Sequence, residues 1–266
     1  MRNGRVIPIP CLEDNYAYLL ICETTHQAVV IDASEEKPIV QAVEQSGVKV
    51  TAIWSTHHHW DHVGGNAALA ARWQVPVLGY VVSSLRIPAQ THFLRDGESW
   101  EIGKLHVQAL HVPGHTLDAL AYLVSDADGM QALFTGDTLF FAGCGRLFEG
   151  TAEQMHRSLS RLAQLPGGVL VYSGHEYAEA NLSFALSMEP HHQGVRVVLE
   201  KVRVRRSRGV PATPSSIGQE LAINPFLRID SKSLRLKLEV CSEALDIEVF
   251  KALRQAKDNW NPLKKH

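Results

Sequence analysis

Four potential metal ligands lie within six positions of the chain, at His57, His59, Asp61 and His62. His57 and His59 are two positions apart, so their side chains point to the same side of an extended segment. Imidazole with carboxylate suits zinc, iron or manganese, and the lack of a nearby Cys argues against a structural zinc clamp. A His-rich surface tract is disfavoured, because the segment lies between a β-like run and a helix-like run. Four adjacent ligands crowd one tetrahedral ion, so the pattern predicts two neighbouring metals.

The composition argues against several classes of protein. A chain of 266 residues can form one large domain, or a medium domain with a small one. Its 26 basic and 28 acidic side chains are balanced, so no overall charge favours nucleic acid or an anionic membrane. The four Cys lack pairing spacing and are expected to stay reduced. Without an apolar signal core or a run of spanning length, we expect a soluble, cytoplasmic protein.

Three further potential ligands follow β-like runs or turns. His115 comes directly after Pro113-Gly114, while Asp137 and His175 each follow a strand-like run and a Gly. Loops at one edge of a sheet are where α/β folds place ligand sites. The pattern therefore predicts an α/β fold with a site at one sheet edge.

The predicted secondary structure changes after His175, from mainly strands to mainly helices. Residues 177–187, 194–206 and 242–257 are typical of helices, and the last has Leu245, Val249 and Leu253 on one apolar face. The basic run at 201–206 is interpreted as the solvated side of a helix rather than a nucleic-acid site. We expect a catalytic domain over residues 1–176 and a small all-helical domain over residues 177–266.

An ordered ligand set carries a family resemblance. The set resembles that of the metallo-β-lactamase superfamily, and its members are His57, His59, Asp61, His62, His115, Asp137 and His175. Within it, segments 134–150 and 174–177 are similar to the glyoxalase II (hydroxyacylglutathione hydrolase) family, and the likeness runs nearly end to end. The resemblance implies an αββα sandwich with a two-metal site at one edge of its sheets.

The resemblance also implies which residue binds which ion. One metal would take His57, His59 and His115, the second would take Asp61, His62 and His175, and Asp137 would bridge them. Zinc is the expected metal, with iron or manganese as alternatives. Non-ligand roles are expected for His58, His92, His106, His111, His156, His191 and His192. Asp118 and Ala119 depart from the Gly-His that often follows this turn in the family.

Substrate recognition in the family implies a glutathione site. The matching positions here carry Arg146, Phe148, Tyr177, Arg254 and Lys257. Some members have Lys and Tyr where this chain has Arg146 and Phe148, so one hydroxyl is missing. Arg254 and Lys257 are three apart and share a helix face. The alternative for this pair is an ordinary solvated helix face.

The implied reaction is hydrolysis of S-(2-hydroxyacyl)glutathione, typically the D-lactoyl thioester, as the second step of methylglyoxal detoxification. A metal-held water with a pKa of about 7 would be the nucleophile, oriented by Asp61. The thiolate leaving group has a conjugate-acid pKa of roughly 8.5 and needs no dedicated acid. Cys144 is interpreted as a turn residue rather than a nucleophile.

Other functions remain open at this point. A β-lactamase, a lactonase or an RNA-processing nuclease could share the fold, and a persulfide dioxygenase would use one iron. A non-catalytic scaffold should have lost ligands, whereas this chain keeps all seven. The expected partner is a small-molecule glutathione thioester, with no nucleic acid or membrane, and a monomer is expected.

Overall fold

The computed structural model describes residues 3–83, 86–129, 131–241 and 243–260. Two six-stranded sheets dominate these residues. The first contains β1 (Gly4–Cys11), β2 (Asn15–Cys22), β3 (Gln27–Ile31), β4 (Lys49–Trp54), β5 (Val77–Tyr80) and β6 (Gln90–Leu94). The second contains β7 (Ser99–Ile102), β8 (Leu105–His111), β9 (Leu120–Ser125), β10 (Gln131–Gly136), β13 (Leu170–Ser173) and β14 (Ser215–Ser216), and a small hairpin joins β11 (Leu139–Phe140) to β12 (Gly143–Cys144).

Helices in the described residues flank these sheets. They are α1 (Glu36–Ser46), α2 (Trp60–Val63), α3 (Asn66–Trp73), α4 (Ala152–Ala163), α5 (Ala178–Met188), α6 (Gln193–Ser207), α7 (Ile217–Ile223), α8 (Lys232–Lys237) and α9 (Asp246–Asn259). Among the helices described, none combines the length and apolarity that crossing a bilayer requires.

The first sheet runs in spatial order from β1 to β6. Its first three strands are antiparallel, and β3 to β6 are parallel. Every residue of β2 is buried, because helices cover one face of the sheet and the second sheet covers the other. Since β3 and β4 are parallel, Asp32 and the segment that begins at Ser55 leave the sheet at the same edge.

The second sheet has the order β14-β13-β10-β9-β8-β7. Only β10 and β13 are parallel, so Asp137 and His175 follow strand ends at the same edge. A bridge between Asn15 and His175 joins this edge to the first sheet, and Tyr16 N donates to Gly174 O at 2.8 Å. The ligand-bearing edges of both sheets therefore meet.

Three apolar clusters establish the layering. Tyr18, Trp54, Tyr122 and Phe134 belong to the cluster between the two sheets. Residues of α1 and α3 pack on the outer face of the first sheet. Residues of α4 and α9 pack with β9, β10 and β13 on the outer face of the second. The predicted αββα sandwich is confirmed.

The C-terminal region is helical as predicted, with two differences. The last helix begins at Asp246 rather than 242, because Leu245 N donates to Glu248 Oε2 at 2.8 Å and caps that end; Ser242 itself lies outside the described residues. Ser215–Ser216 forms β14 and pairs with Leu170 and Val171 of β13. A strand of two residues has no alternating pattern from which it could be predicted.

Candidate metal centre

Three imidazoles converge at the meeting sheet edges. His57 Nε2 lies 3.1 Å from His59 Nδ1, and His115 Nε2 lies 3.0 Å from the same nitrogen. His57 and His115 are buried, while His59 is partly exposed. We call these residues the three-histidine cluster. The structure brings together the three residues that the family resemblance assigns to one metal.

A second group lies beside it and contains Asp61, His62 and His175. His62 Nε2 and His175 Nε2 are 3.3 Å apart. Asp61 Oδ2 lies 3.7 Å from His62 Nε2 and 3.4 Å from His175 Nε2. We call this group the mixed cluster.

Asp137 stands between the two clusters. Its Oδ1 lies 3.4 Å from His62 Nε2, and its Oδ2 lies 3.4 Å from His115 Nε2 and 3.3 Å from His175 Nε2. The carboxylate therefore faces ligand atoms of both clusters at once. This is the placement expected of a bridging ligand.

The donor atoms fit metal ions. Ligands about 2.0–2.1 Å from a tetrahedral zinc are separated by about 3.3 Å, close to the separations within each cluster. Asp137 is 8 % exposed, and within the described residues its Oδ1 has no hydrogen-bond partner, although His62 Nε2 lies 3.4 Å away. A buried carboxylate oxygen without a partner is costly unless a cation satisfies it. The two clusters form a candidate two-metal site.

Hydrogen bonds behind the ligands orient their rings. Asp14 Oδ1 lies 2.8 Å from His175 Nδ1, and Asp32 Oδ2 lies 3.0 Å from His62 Nδ1. The carbonyl oxygen of Arg146 lies 2.9 Å from the Nδ1 of His115. Because these oxygens accept from Nδ1–H, Nε2 is the nitrogen that each ring directs to the centre.

Glycine permits the close approach of the strand ends. A Cβ on Gly174 would lie 2.5 Å from Asp137 Oδ1 and 2.6 Å from His62 Cε1. Gly136, next to the bridging carboxylate, has a φ of +46°, and its Cβ would meet Thr56 Oγ1. A larger residue at Gly174 would push Asp137 and His62 away, and one at Gly136 would displace Thr56, next to His57.

The three-histidine cluster is held neutral. Burial lowers the pKa of His57 well below its usual value, and the charge of His62 adds to this effect. Burial, together with His115 and His58, lowers the pKa of His59 to about 4. Burial also lowers the pKa of His115. Neutral imidazole is the form that binds metal, so no proton need leave this cluster near neutral pH.

The mixed cluster has the opposite electrostatics. Burial disfavours a charge on His62, but the carboxylates of Asp137 and Asp32 outweigh it and raise its pKa to about 10. Burial is likewise outweighed at His175, where Asp137, Asp61 and Asp14 raise the pKa to about 11. Cations binding there must displace these protons, so binding weakens as the pH falls.

A cavity of about 430 Å³ opens from His115 and Asp137 towards the C-terminal helices. It is lined by all five residues predicted to bind glutathione: Arg146, Phe148, Tyr177, Arg254 and Lys257. A larger cavity of about 590 Å³ lies elsewhere, beside Glu189. Arg228 and two serines already satisfy that carboxylate, so it presents no unpaired charge to a ligand.

The two cations of α9 differ in their surroundings. Arg254 is buried and donates to Cys144 O at 2.9 Å and to Asp258 Oδ1 at 2.9 Å. Lys257 Nζ lies 4.9 Å from the ring centroid of Phe184 and 4.6 Å from that of Trp260. Burial and the charge of Arg254 lower the pKa of Lys257 to about 8. Lys257 is therefore the less engaged of the two.

The remaining predicted residues form the walls beside the metal ligands. Tyr177 stacks on His175, with ring centroids 4.7 Å apart and planes within 6°. Phe148 is 64 % exposed, and its ring lies 5.6 Å from His59 and 5.2 Å from His115. Arg146 is exposed, with Nε 3.9 Å from Asp258 Oδ1.

Sequence reasoning assigned no role to several supporting residues. Asp14 and Asp32 orient ligand rings, while Asn15 Nδ2 donates to Asp61 Oδ2 at 3.0 Å. For Asp32 the sequence did offer a signal, its position, because Asp32 follows a strand that ends at the same sheet edge as the His57 segment. His58 was interpreted as a non-ligand, and its Nδ1 lies 2.8 Å from Asp118 Oδ1.

Two family models divide the chain between them. Residues 13–175 match the metallo-beta-lactamase superfamily, and residues 176–260 match the hydroxyacylglutathione hydrolase C-terminus. The boundary predicted near Glu176 is not tested independently and stays a prediction.

Full-length relatives carry the second of these names. A hydroxyacylglutathione hydrolase from Chromohalobacter salexigens is 44 % identical over 96 % of this chain and 99 % of its own length. One from Jannaschia sp. is 41 % identical over 98 % and 100 %. The hydroxyacylglutathione hydrolase cytoplasmic of Arabidopsis thaliana is 39 % identical over 96 % and 99 %.

A solved structure shares the fold. The crystal structure of ETHE1 from Myxococcus xanthus has a TM-score of 0.63 and 28 % identity to this chain, and covers 95 % of it and 96 % of its own chain. The relatives and both family models agree on one family. The chain belongs to the hydroxyacylglutathione hydrolase family of the metallo-beta-lactamase superfamily.

Proposed function

We propose that this chain hydrolyses S-(2-hydroxyacyl)glutathione, typically the D-lactoyl thioester, to glutathione and a 2-hydroxy acid. One observation carries the proposal: a single cavity runs from the candidate metal centre to a cationic wall formed by Arg146, Arg254 and Lys257. Glutathione has two carboxylates and one ammonium, so it requires cations at a distance from the scissile bond. The relatives named above support the same activity.

The three-histidine cluster would hold one divalent ion and the mixed cluster a second, with Asp137 between them. Zinc is our first choice, because five imidazoles and two carboxylates match its preferences, and iron or manganese would also be accepted. Two such ions supply Lewis acidity and make a water molecule nucleophilic at neutral pH.

Asp61 is proposed to orient the attacking water. Asn15 Nδ2 donates to both the backbone oxygen and Oδ2 of Asp61, at 3.1 and 3.0 Å, which holds the carboxylate in one orientation. Despite burial, contact with His175, the charge of His62 and the hydrogen bond from Asn15 hold the pKa of Asp61 below its usual value and keep it ionised. Asp61 therefore accepts a hydrogen bond from water throughout the neutral range.

The other end of the reaction needs less assistance. A thiolate leaves readily, because its conjugate acid has a pKa of roughly 8.5. Cys144 is no rival nucleophile, because burial raises its pKa to about 11. Its carbonyl oxygen instead anchors Arg254 at the cavity wall.

The glutathione moiety is proposed to bind along α9 and the 146–148 loop. Lys257 and Arg146 would meet its carboxylates, and Tyr177 would offer a hydroxyl. Arg254 would act through a guanidinium whose position Cys144 and Asp258 already fix. Phe148 would supply only apolar contact beside the metal ligands.

The decisive experiment is steady-state hydrolysis of S-lactoylglutathione, with metal content measured on the same sample. We expect two metals per chain and a high kcat/KM for this thioester. A lactam and a lactone test the rival hydrolases of the same fold. Faster turnover of either, or full activity with one metal, would contradict the proposal.

Two substitutions in α9 test whether Lys257 binds the glutathione part of the substrate. Lys257→Met should raise KM for S-lactoylglutathione by about tenfold, because a charge-assisted hydrogen bond contributes roughly 1.5–3 kcal/mol and partial exposure lessens it. It should largely spare kcat, since the glutathione peptide is bound alike in the ground and transition states. Lys251→Met is the matched control, because Lys251 is exposed on the same helix and pairs with Glu153. Equal KM values for both variants would rule out a role for Lys257.

Two broader expectations accompany this activity. We propose a cytoplasmic location, because a relative from Arabidopsis thaliana is named as cytoplasmic. We also propose a monomer that binds no nucleic acid, in line with the balanced charge of the chain. Size-exclusion chromatography with light scattering tests whether the protein is a monomer.

A further inference from the structure

His58 lies between two ligands of the three-histidine cluster, yet its ring points away from that cluster to two carboxylates. His58 Nδ1 is 2.8 Å from Asp118 Oδ1, and His58 Nε2 is 3.6 Å from Glu149 Oε1. The His58 side chain is 11 % exposed and that of Asp118 is 2 % exposed. Both polar edges of the imidazole therefore face carboxylates in a largely dry environment.

The two carboxylates belong to the segments that surround His115. Asp118 lies three residues after His115, and Glu149 Oε2 accepts a hydrogen bond from Leu117 N at 2.9 Å. The amide of Glu149 in turn donates to His115 O at 3.3 Å. The 146–150 loop and the turn after His115 thus form one hydrogen-bonded unit, and His58 contacts both parts of it.

The trio of His58, Asp118 and Glu149 resembles a further metal site in composition. The position of Arg86 argues against that interpretation. Arg86 Nη2 lies 2.5 Å from Glu149 Oε1, the same oxygen that faces His58. A guanidinium there already balances the carboxylate and would repel a divalent cation.

We propose that His58, Asp118 and Glu149 form a polar brace that sets the separation between the ligand pair His57/His59 and the ligand His115. The inference rests on the proposed assignment of these three histidines to one metal. Those ligands come from different sheets, and the backbone hydrogen bond from Leu120 N to Thr56 O at 2.7 Å joins their segments without fixing where the side chains lie. A metal site needs its ligands within about 0.5 Å of the productive arrangement, and the brace supplies this restraint. His58 is thus a positioning residue that never touches the ion.

The test is a zinc titration of metal-free protein against a chromophoric chelator, which yields two stepwise dissociation constants. In His58→Ala, the constant for the three-histidine cluster should rise about 10–100-fold, as is typical when a ligand loses its supporting contact. The constant for the mixed cluster should change less than about threefold. Anomalous diffraction at one equivalent of zinc assigns the constants, with occupancy moving to the mixed cluster in the variant.

Four further variants sharpen the result. His58→Asn keeps an N–H donor near the position of Nδ1 and should restore most of the affinity. Asp118→Ala should reproduce the loss, and the double variant should be no worse than either single one, because both remove the same contact. His106→Ala is the matched control, since the exposed side chain of His106 on β8 pairs with Glu101 at 3.1 Å. It should bind zinc as the wild type does.

The possible outcomes distinguish failure of the brace from failure of the proposed two-metal assignment. If the wild type does not bind two zinc ions, the two-metal assignment itself is wrong. If the wild type binds two and His58→Ala binds them with unchanged constants, only the brace is refuted. Equal weakening at both clusters would also refute it, because a general loss of folding would act on both. A third zinc equivalent lost on substituting His58 would make the trio a metal site instead.

Discussion

The protonation of Lys257 should control the pH dependence of substrate binding. Burial and the neighbouring Arg254 lower the pKa of this lysine from 10.5 to about 8. Its ammonium packs on the rings of Phe184 and Trp260 at the wall of the candidate cavity. A carboxylate of the substrate binds the charged form, so full affinity is present below about pH 8 and is lost as the pH rises through that value.

The magnitude follows from the titration. With a pKa of about 8, the charged fraction of Lys257 falls from about nine-tenths at pH 7 to about one-tenth at pH 9. If binding required the ammonium strictly, KM would rise about tenfold over this range. Partial solvent exposure weakens the contact, so we expect a rise of about three- to tenfold. Lys257→Arg should flatten the curve, because a guanidinium stays charged at pH 9.

The assay measures kcat and KM for S-lactoylglutathione at half-unit steps between pH 6.5 and 9.5, corrected for spontaneous hydrolysis. Any titration at the metal centre affects the wild type and Lys257→Arg alike, so the ratio of their KM values isolates the lysine. Lys251→Arg, on the exposed side of the same helix, should follow the wild-type curve. Parallel KM curves for wild type and Lys257→Arg would refute the reasoning.

Two other residues give separate predictions. Asp137→Ala removes the carboxylate that faces both clusters. Bound metal should fall below two per chain, and kcat/KM should fall by more than the roughly 10–100-fold that is typical when a ligand loses a supporting contact. Unchanged turnover would exclude a bridging role for Asp137. Glu220 is fully buried on α7, and its burial raises its pKa from 4.5 to about 7 although Ala142 N and Asn224 Nδ2 donate to it. Because its folded pKa is raised, its stabilising effect is complete below pH 4.5 and is lost as the pH rises through about 7. The wild type should therefore lose about 1 kcal/mol of unfolding free energy between pH 6 and 8 relative to Glu220→Gln, as measured by urea denaturation, and identical pH profiles would contradict a buried, titrating Glu220.

The candidate ligands can be recognised in the sequence because their signal is local. His57, His59, Asp61 and His62 fall within one short segment, and three others follow strands or turns. Their supporting contacts carry no such signal, because they join distant positions. Asp14 and His175 are 161 residues apart, and His58 and Asp118 are 60 apart. Only the packing of one sheet on the other brings such residues together.

For the predicted substrate-binding residues, the sequence indicates the helix face but not the surroundings of each side chain. Spacing placed Arg254 and Lys257 on one helix face, and both line the cavity. The spacing could not show that Arg254 is engaged by Cys144 O and Asp258, whereas Lys257 rests on aromatic rings. Their partners lie in other elements or in the next turn of the helix. The distinction between a cation that is engaged and one that is accessible is a property of the folded chain.

The meeting of the two sheet edges has a consequence for folding. His57 to His62 follow a strand of the first sheet, whereas His115, Asp137 and His175 follow strands of the second. Ions held by both sets act as non-covalent cross-links between the halves of the sandwich. Such a cross-link contributes RT ln(1 + [M]/Kd), or about 4 kcal/mol at a free ion concentration 1,000 times Kd. Chelation would remove this contribution to the free energy of unfolding and leave the apolar layer and the direct hydrogen bonds to hold the two halves together.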